Sequence, residues 1–99
     1  MYAIQYVESI ADDLAALRAV DRKKILDEIE EQLTHQPDQA TKRKKILRGL
    51  SPPWEHEEPV WELRVDEFRV FYDVDESASQ VTVRAVRHKP AHKTTEEIQ

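Results

Sequence analysis

Two alternating runs separated by two residues constrain this chain more than any other feature. In Val60-Trp61-Glu62-Leu63-Arg64-Val65, apolar Trp61, Leu63 and Val65 alternate with charged Glu62 and Arg64. In Phe68-Arg69-Val70-Phe71-Tyr72-Asp73-Val74, the residues Phe68, Val70, Tyr72 and Val74 hold the same phase. A period of two means half-buried strands, and Asp66-Glu67 between them is short enough only for a tight hairpin. Register follows, because a slip of one residue would send every apolar side chain to the wrong face. A third run, Val81–Val86, returns after the polar stretch 75–80 and predicts the next strand. Residues 2–7 also alternate, with Tyr2, Ile4 and Tyr6 on one side, and predict a first strand.

Between the first strand and the hairpin the period changes to that of helices. Ser9 is placed to cap a helix, with Asp12 and Asp13 in its first turn and Ile10, Leu14 and Leu17 at helical spacing, ending near Ala19. Asp21 is placed to cap a second, whose stripe is Ile25, Leu26, Ile29 and Leu33. Pro37 stops it at the latest. Residues 38–59 read as connecting loop. The predicted fold is α+β: β-α-α-β-β-β, a small antiparallel sheet with an N-terminal helical hairpin packed on one face. Arg64, Arg69 and Arg84 fall out of phase with the apolar positions, so three arginines are expected to crowd the other face.

The 99 residues suffice for a single domain, 1–99, with a thin core: 39% of them are apolar and 35% charged. There is no cysteine, which excludes disulfides, thiolate nucleophiles and cysteine-bound metal centres. Gly49 is the single glycine, so no Gly-rich phosphate loop exists. His88 and His92 are four apart, but Pro90 between them argues against a helical metal pair; neither a metal nor any other cofactor is expected. No run approaches a membrane span and no secretion signal is recognisable, so a cytoplasmic protein is expected.

A net charge of −5 speaks against nucleic acid, but its distribution does not. Residues 1–40 carry 4 basic and 9 acidic groups, and residues 49–83 carry 2 and 9. Residues 41–48 carry 5 basic and none acidic, and residues 84–99 carry 4 and 2. A ligand responds to charges within about 8–10 Å, so local sign outweighs the total.

The chain resembles the RelE/ParE-type toxins of type II bacterial toxin–antitoxin systems. The resemblance rests on the opening Tyr2, Ile4, Tyr6 strand, the helical hairpin, and the Lys45, Leu47, Gly49, Leu50 link. Its most specific part is Leu63-Arg64-Val65-Asp66-Glu67-Phe68-Arg69-Val70-Phe71-Tyr72, with Val86-Arg87-His88-Lys89 at the strand end. It implies a toxin held inactive by a cognate antitoxin. Members close to RelE cleave mRNA on the ribosome without a metal, whereas members close to ParE poison DNA gyrase. A catalytically weak member, acting through its antitoxin complex, is a third alternative.

Metal-free RNA cleavage needs a base for the 2′-OH, a cation for the phosphorane and an acid for the leaving oxygen. The resemblance points to Arg69 for phosphate contact and to Lys89 as the transition-state cation. His92, between Lys89 and Lys93, is the candidate for proton transfer, and His88 a weaker one. Lys42, Arg43, Lys44, Lys45, Arg48, Arg64, Arg84, Arg87 and Lys93 are candidates for RNA contact, against the plainer reading of solvated cations. Two departures stand out. No tyrosine follows Tyr72, where RNA-cleaving relatives often carry one, and Glu62 occupies a strand on which some relatives carry lysines. The site therefore has a rearranged acid and base, with His92 and Glu62 available, or none.

Overall fold

A computed structural model describes all residues, Met1–Gln99. The elements run β1 (Ala3–Tyr6), α1 (Ile10–Ala15), α2 (Ala19–Leu33), β2 (Lys44–Ile46), β3 (Trp61–Val65), β4 (Phe68–Asp75), β5 (Gln80–His88) and α3 (Thr95–Ile98). They build one five-stranded sheet in the order β1-β5-β4-β3-β2. The α+β class, the helical hairpin and the three consecutive antiparallel strands are as expected. Three details differ. β1 pairs with β5 in parallel, so the sheet is mixed. Lys44–Ile46, inside the basic run, adds an edge strand antiparallel to β3. A one-turn helix closes the chain.

The hairpin turn works because Asp66 takes φ 52°, a left-handed conformation that Asp tolerates better than most residues. Gly49 has φ 74° and nothing within 4 Å of a Cβ there, so backbone freedom alone calls for glycine. α2 starts three residues earlier than the Asp21 cap predicts. Arg18 is its N-cap, and Asp21 lies in the first turn, 3.1 Å from the Arg18 guanidinium. α1 is shorter than expected, ending at Ala15.

The helix-side core joins Ile10, Ile25, Ile29 and Leu33 to Trp61, Leu63, Val65, Val70, Tyr72, Val81, Val83 and Val86. Trp61 stacks on Tyr72 at 6.2 Å, so it belongs to the core. The Tyr72 hydroxyl donates to the Pro37 carbonyl at 2.6 Å, which anchors the chain leaving α2.

The other face is not bare. Phe71, Ala85, Leu47 and Val60 form a second, smaller core, covered by Leu50, Trp54 and Ile98. Trp54 packs on Phe71 with ring centroids 5.1 Å apart. A register shift between Phe71 and Tyr72 makes this possible. Tyr72 pairs with Val83 but Phe71 pairs with Ala85, leaving Arg84 as the extra residue. The bulge changes the phase of β5, so Val86 returns to the helix side and Arg87 turns to the other.

Candidate functional site

The register places three arginines in one row. Arg64 of β3 is the partner of Arg69 of β4, which is the partner of Arg87 of β5. Like charges directly opposite each other on a sheet are destabilising, so this row costs stability unless something compensates. Each arginine meets a different environment. Arg64 is exposed, and its guanidinium has no partner within the chain. Arg69 is buried, and its Nη1 donates to the carbonyls of Asp66 and Phe68, each at 2.8 Å. Arg87 donates to Asp13 at 2.9 Å and lies over the Trp54 ring at 5.1 Å. The sequence expectation of an Arg64, Arg69 and Arg84 group is therefore modified. Arg84 sits at the bulge, and both Asp73 oxygens accept from it, at 2.8 and 3.4 Å.

Around Arg64 and Arg69 lies a polar cleft of about 250 Å³ with no apolar residue in its lining. Lys42, Arg43 and Lys45 come from the basic run, Lys89 from beyond β5, and Thr41 and Thr95 complete the wall. Its one carboxylate is Glu62, which is 3% exposed. Glu62 Oε1 is 3.8 Å from both Lys45 Nζ and Arg69 Nε, and Thr95 donates to Oε2 at 2.9 Å. The buried anion offsets the crowded cations and fixes their directions. Burial lowers the pKa of Arg69; Glu62 opposes this and Arg64 adds to it. A guanidinium still stays charged under such pressure, so its charge is permanent at neutral pH.

The structure therefore brings Arg69, Lys89, Arg64, Lys42, Arg43 and Lys45 together, from segments far apart in sequence. The remaining candidates lie elsewhere. Lys44 is 4% exposed, and its ammonium donates to the carbonyls of Gln32 and Gln36 at 3.1 and 2.6 Å. It closes the C-terminal end of α2, where carbonyls lack helical partners. Burial lowers its pKa, against a smaller opposite effect of Asp38. Arg84 and Arg87 are held by Asp73 and Asp13 as described. Arg48, Lys93 and His92 are exposed and do not line the cleft. His88 lies 3.1 Å from Glu67, with its ring against Phe68 at 5.3 Å. Sequence reasoning missed the two threonines. Nothing in the local pattern marks Thr95, because only the docking of α3 through Ile98 brings its hydroxyl to Glu62.

Chemically, the cleft offers fixed positive charge, one hydrogen-bonded carboxylate and three lysine ammonium groups. Such a set complements a phosphodiester, whose negative charge grows during cleavage.

Comparison with known proteins agrees on the fold. A chain of the RelBE2 toxin–antitoxin complex of Mycobacterium tuberculosis superposes with a TM-score of 0.70 at 19% identity, over 89% of this chain and 98% of that one. A chain of the archaeal RelE–RelB complex of Pyrococcus horikoshii gives 0.68 at 17%, over 94% and 98%. The isolated RelE toxin of E. coli gives 0.68 at 16%, over 98% and 94%. No curated protein sequence matches the chain. The family model of the ParE toxin of type II toxin–antitoxin systems matches residues 2–90. With residues 2–90 matched by that family model and the overall fold shared with RelE toxins, the chain belongs to the ParE toxin family of type II toxin–antitoxin systems.

Proposed function

We propose that this toxin blocks translation by cleaving mRNA on the ribosome, with the scissile phosphate bound in the Arg69 cleft, and that a cognate antitoxin restrains it. One observation carries the reading. The Arg69 guanidinium is pinned by two backbone carbonyls and faces one carboxylate, in a cleft whose other lining is five cations and two threonines. A pre-oriented cation stabilises developing charge without reorganising during the reaction.

In this reading the 2′-oxygen attacks phosphorus, the bond to the 5′-oxygen breaks, and the products are a cyclic phosphate and a 5′-hydroxyl. Arg69 and Lys89 hold the phosphoryl oxygens. Glu62 is the carboxylate placed to accept the 2′-OH proton, and a lysine ammonium, Lys89 or Lys45, returns a proton to the leaving oxygen. His92 has no part in this scheme, because its ring lies outside the cleft. Lys44 caps α2 and contacts no RNA.

A second reading is inhibition of DNA gyrase by binding alone. It is favoured by the lack of any imidazole or phenol in the cleft. The two separate on induction of the chain without its antitoxin. Growth arrest with ribosome-dependent message cleavage supports the nuclease, whereas DNA breaks with intact messages support the gyrase reading. Arg69→Ala should slow cleavage by about 10²-fold or more, as loss of one transition-state donor does. An unchanged rate in a folded variant overturns the mechanism.

A further inference from the structure

A second cleft, of about 400 Å³, opens beside the first, between α2 and the turn after β3. Lys42, Arg43 and Arg64 line both, so the two are one continuous groove. Lys24 of α2 lies on its far wall, and Val65 is its one apolar residue. Neither cleft contains an aromatic side chain.

We propose that this second cleft is a phosphodiester subsite for single-stranded RNA, which grips the backbone next to the scissile phosphate and reads no base. The proposal rests on the reading of the first cleft as the place where RNA is cut. Four observations carry it. The first is charge. The groove holds seven cations against three carboxylates, net +4, in a chain of net −5. The rest of the molecule is strongly negative, so a polyanion is attracted to this strip and repelled elsewhere. The second is Arg64. It stands where the clefts meet, exposed and without an ion-pair partner, opposite the like charge of Arg69. Glu62 offsets Arg69 but no carboxylate pairs with Arg64, so an anion bound beside Arg64 relieves the repulsion that remains.

The third is the tethering of the other cations. Arg43 is held by Glu28 at 3.1 Å, and Lys24 by Asp66. Each long side chain is thus already ordered at the groove, and less rotamer entropy is lost when a phosphate binds. Lys24 bridges to the hairpin turn whose Asp66 carbonyl also pins Arg69, so the two clefts share one rigid support. The fourth is shape and lining. The second cleft, at about 400 Å³, has the volume of a small-ligand pocket, suited to one unit of a strand rather than to a duplex. With no aromatic platform, base stacking has little support there, and sequence-tolerant phosphate contact by the cations is the favoured mode.

The test measures binding of a short 2′-O-methylated RNA strand, which cannot be cut, to the wild-type chain and to Lys24→Gln, Arg64→Gln and Arg69→Gln over a range of salt. All three positions are accessible or polar, and thermal unfolding checks that each variant folds. The proposal expects Lys24→Gln and Arg64→Gln each to weaken binding several-fold and to flatten the logarithmic salt slope by about 0.7, one phosphate contact on a single strand. Strands of oligo(A) and oligo(U) should bind alike. If Arg69→Gln weakens binding while Lys24→Gln and Arg64→Gln do not, the subsite is wrong and the cleavage site stands. If wild-type chain and all three variants bind equally, the cleavage reading falls with it. Equal affinity for duplex RNA, a strong preference for one base, or tighter binding of an oligoglutamate peptide through the same two residues would each overturn the proposal.

Discussion

The two faces of the sheet are built from the same strands and serve opposite ends. The helix side spends its residues on exclusion of water: Leu63, Val70, Tyr72, Val81 and Val83 have no exposed surface there. The other side divides. Toward Phe71 it makes a second small core, and toward Arg64 it leaves like charges facing one another across the strands. Only one of these arrangements improves stability. The lesson is that strand parity sorts residues, but neighbouring elements decide what each face becomes. Asp73 and Asp13 neutralise the arginines near the small core, whereas the cleft receives one carboxylate for six cations.

Mutations can break this contrast. The largest effect is expected on the helix side, where Leu63→Ala should cost about 2–5 kcal/mol in chemical denaturation, as deletions in a closed core do. That is a large share of the stability of a domain this size. A smaller loss would mean that the thin core collapses around the vacancy. Next is the Asp73–Arg84 pair, largely buried on the other face. Asp73 also accepts from the Glu57 backbone N–H at 3.0 Å. Asp73→Ala strands a mostly buried guanidinium and should cost about 3 kcal/mol, the low end for breaking a buried pair.

Tyr72 gives a pH-dependent contrast. Burial, and secondarily Asp38, raises its phenol pKa well above the ordinary 10.0. The folded chain keeps the proton where the unfolded chain has released it. Its contribution is therefore complete below pH 10 and is lost as pH rises beyond that. Tyr72→Phe should cost about 1–2 kcal/mol at neutral pH, because the Pro37 carbonyl loses its donor. The same variant should show a shallower loss of stability in alkali; equal alkaline loss in both proteins would acquit Tyr72. The smallest effect is expected at Arg64. Arg64→Ala should change stability by no more than about 0.5 kcal/mol, and in the favourable direction, since it removes a like-charge neighbour of Arg69. A clear destabilisation would show that Arg64 supports the fold, and would sharpen the contrast against a binding role.

The sequence was most legible where the physics is local. The hairpin Trp61–Val74 could be read residue by residue because alternation has one solution once a core face exists. The helical hairpin could be read for the same reason, although its caps fell at Arg18 rather than Asp21. Lys44 shows the limit. In the sequence it is one of five cations in a run, indistinguishable from Lys42 or Lys45. In the fold it is a buried helix cap, because β2 pairs with β3 and turns alternate residues of the run inward. Arg87 and Arg84 show another. Their positions depend on a single-residue bulge in β5, which the even alternation of Val81–Val86 does not announce.

What the chain's sequence determined by itself is its strands, its helices and the supply of arginines on polar phases, since each follows from periods of two or near four within a short window. Which cations became neighbours was decided only by tertiary structure. Lys24, Lys42, Arg64, Arg69 and Lys89 come from three elements and two loops, and they share one groove because strand order and register bring them there. Which charges were cancelled was decided there too, since an ion pair depends on distances of a few ångströms between residues up to 74 positions apart, and no local pattern encodes such a distance.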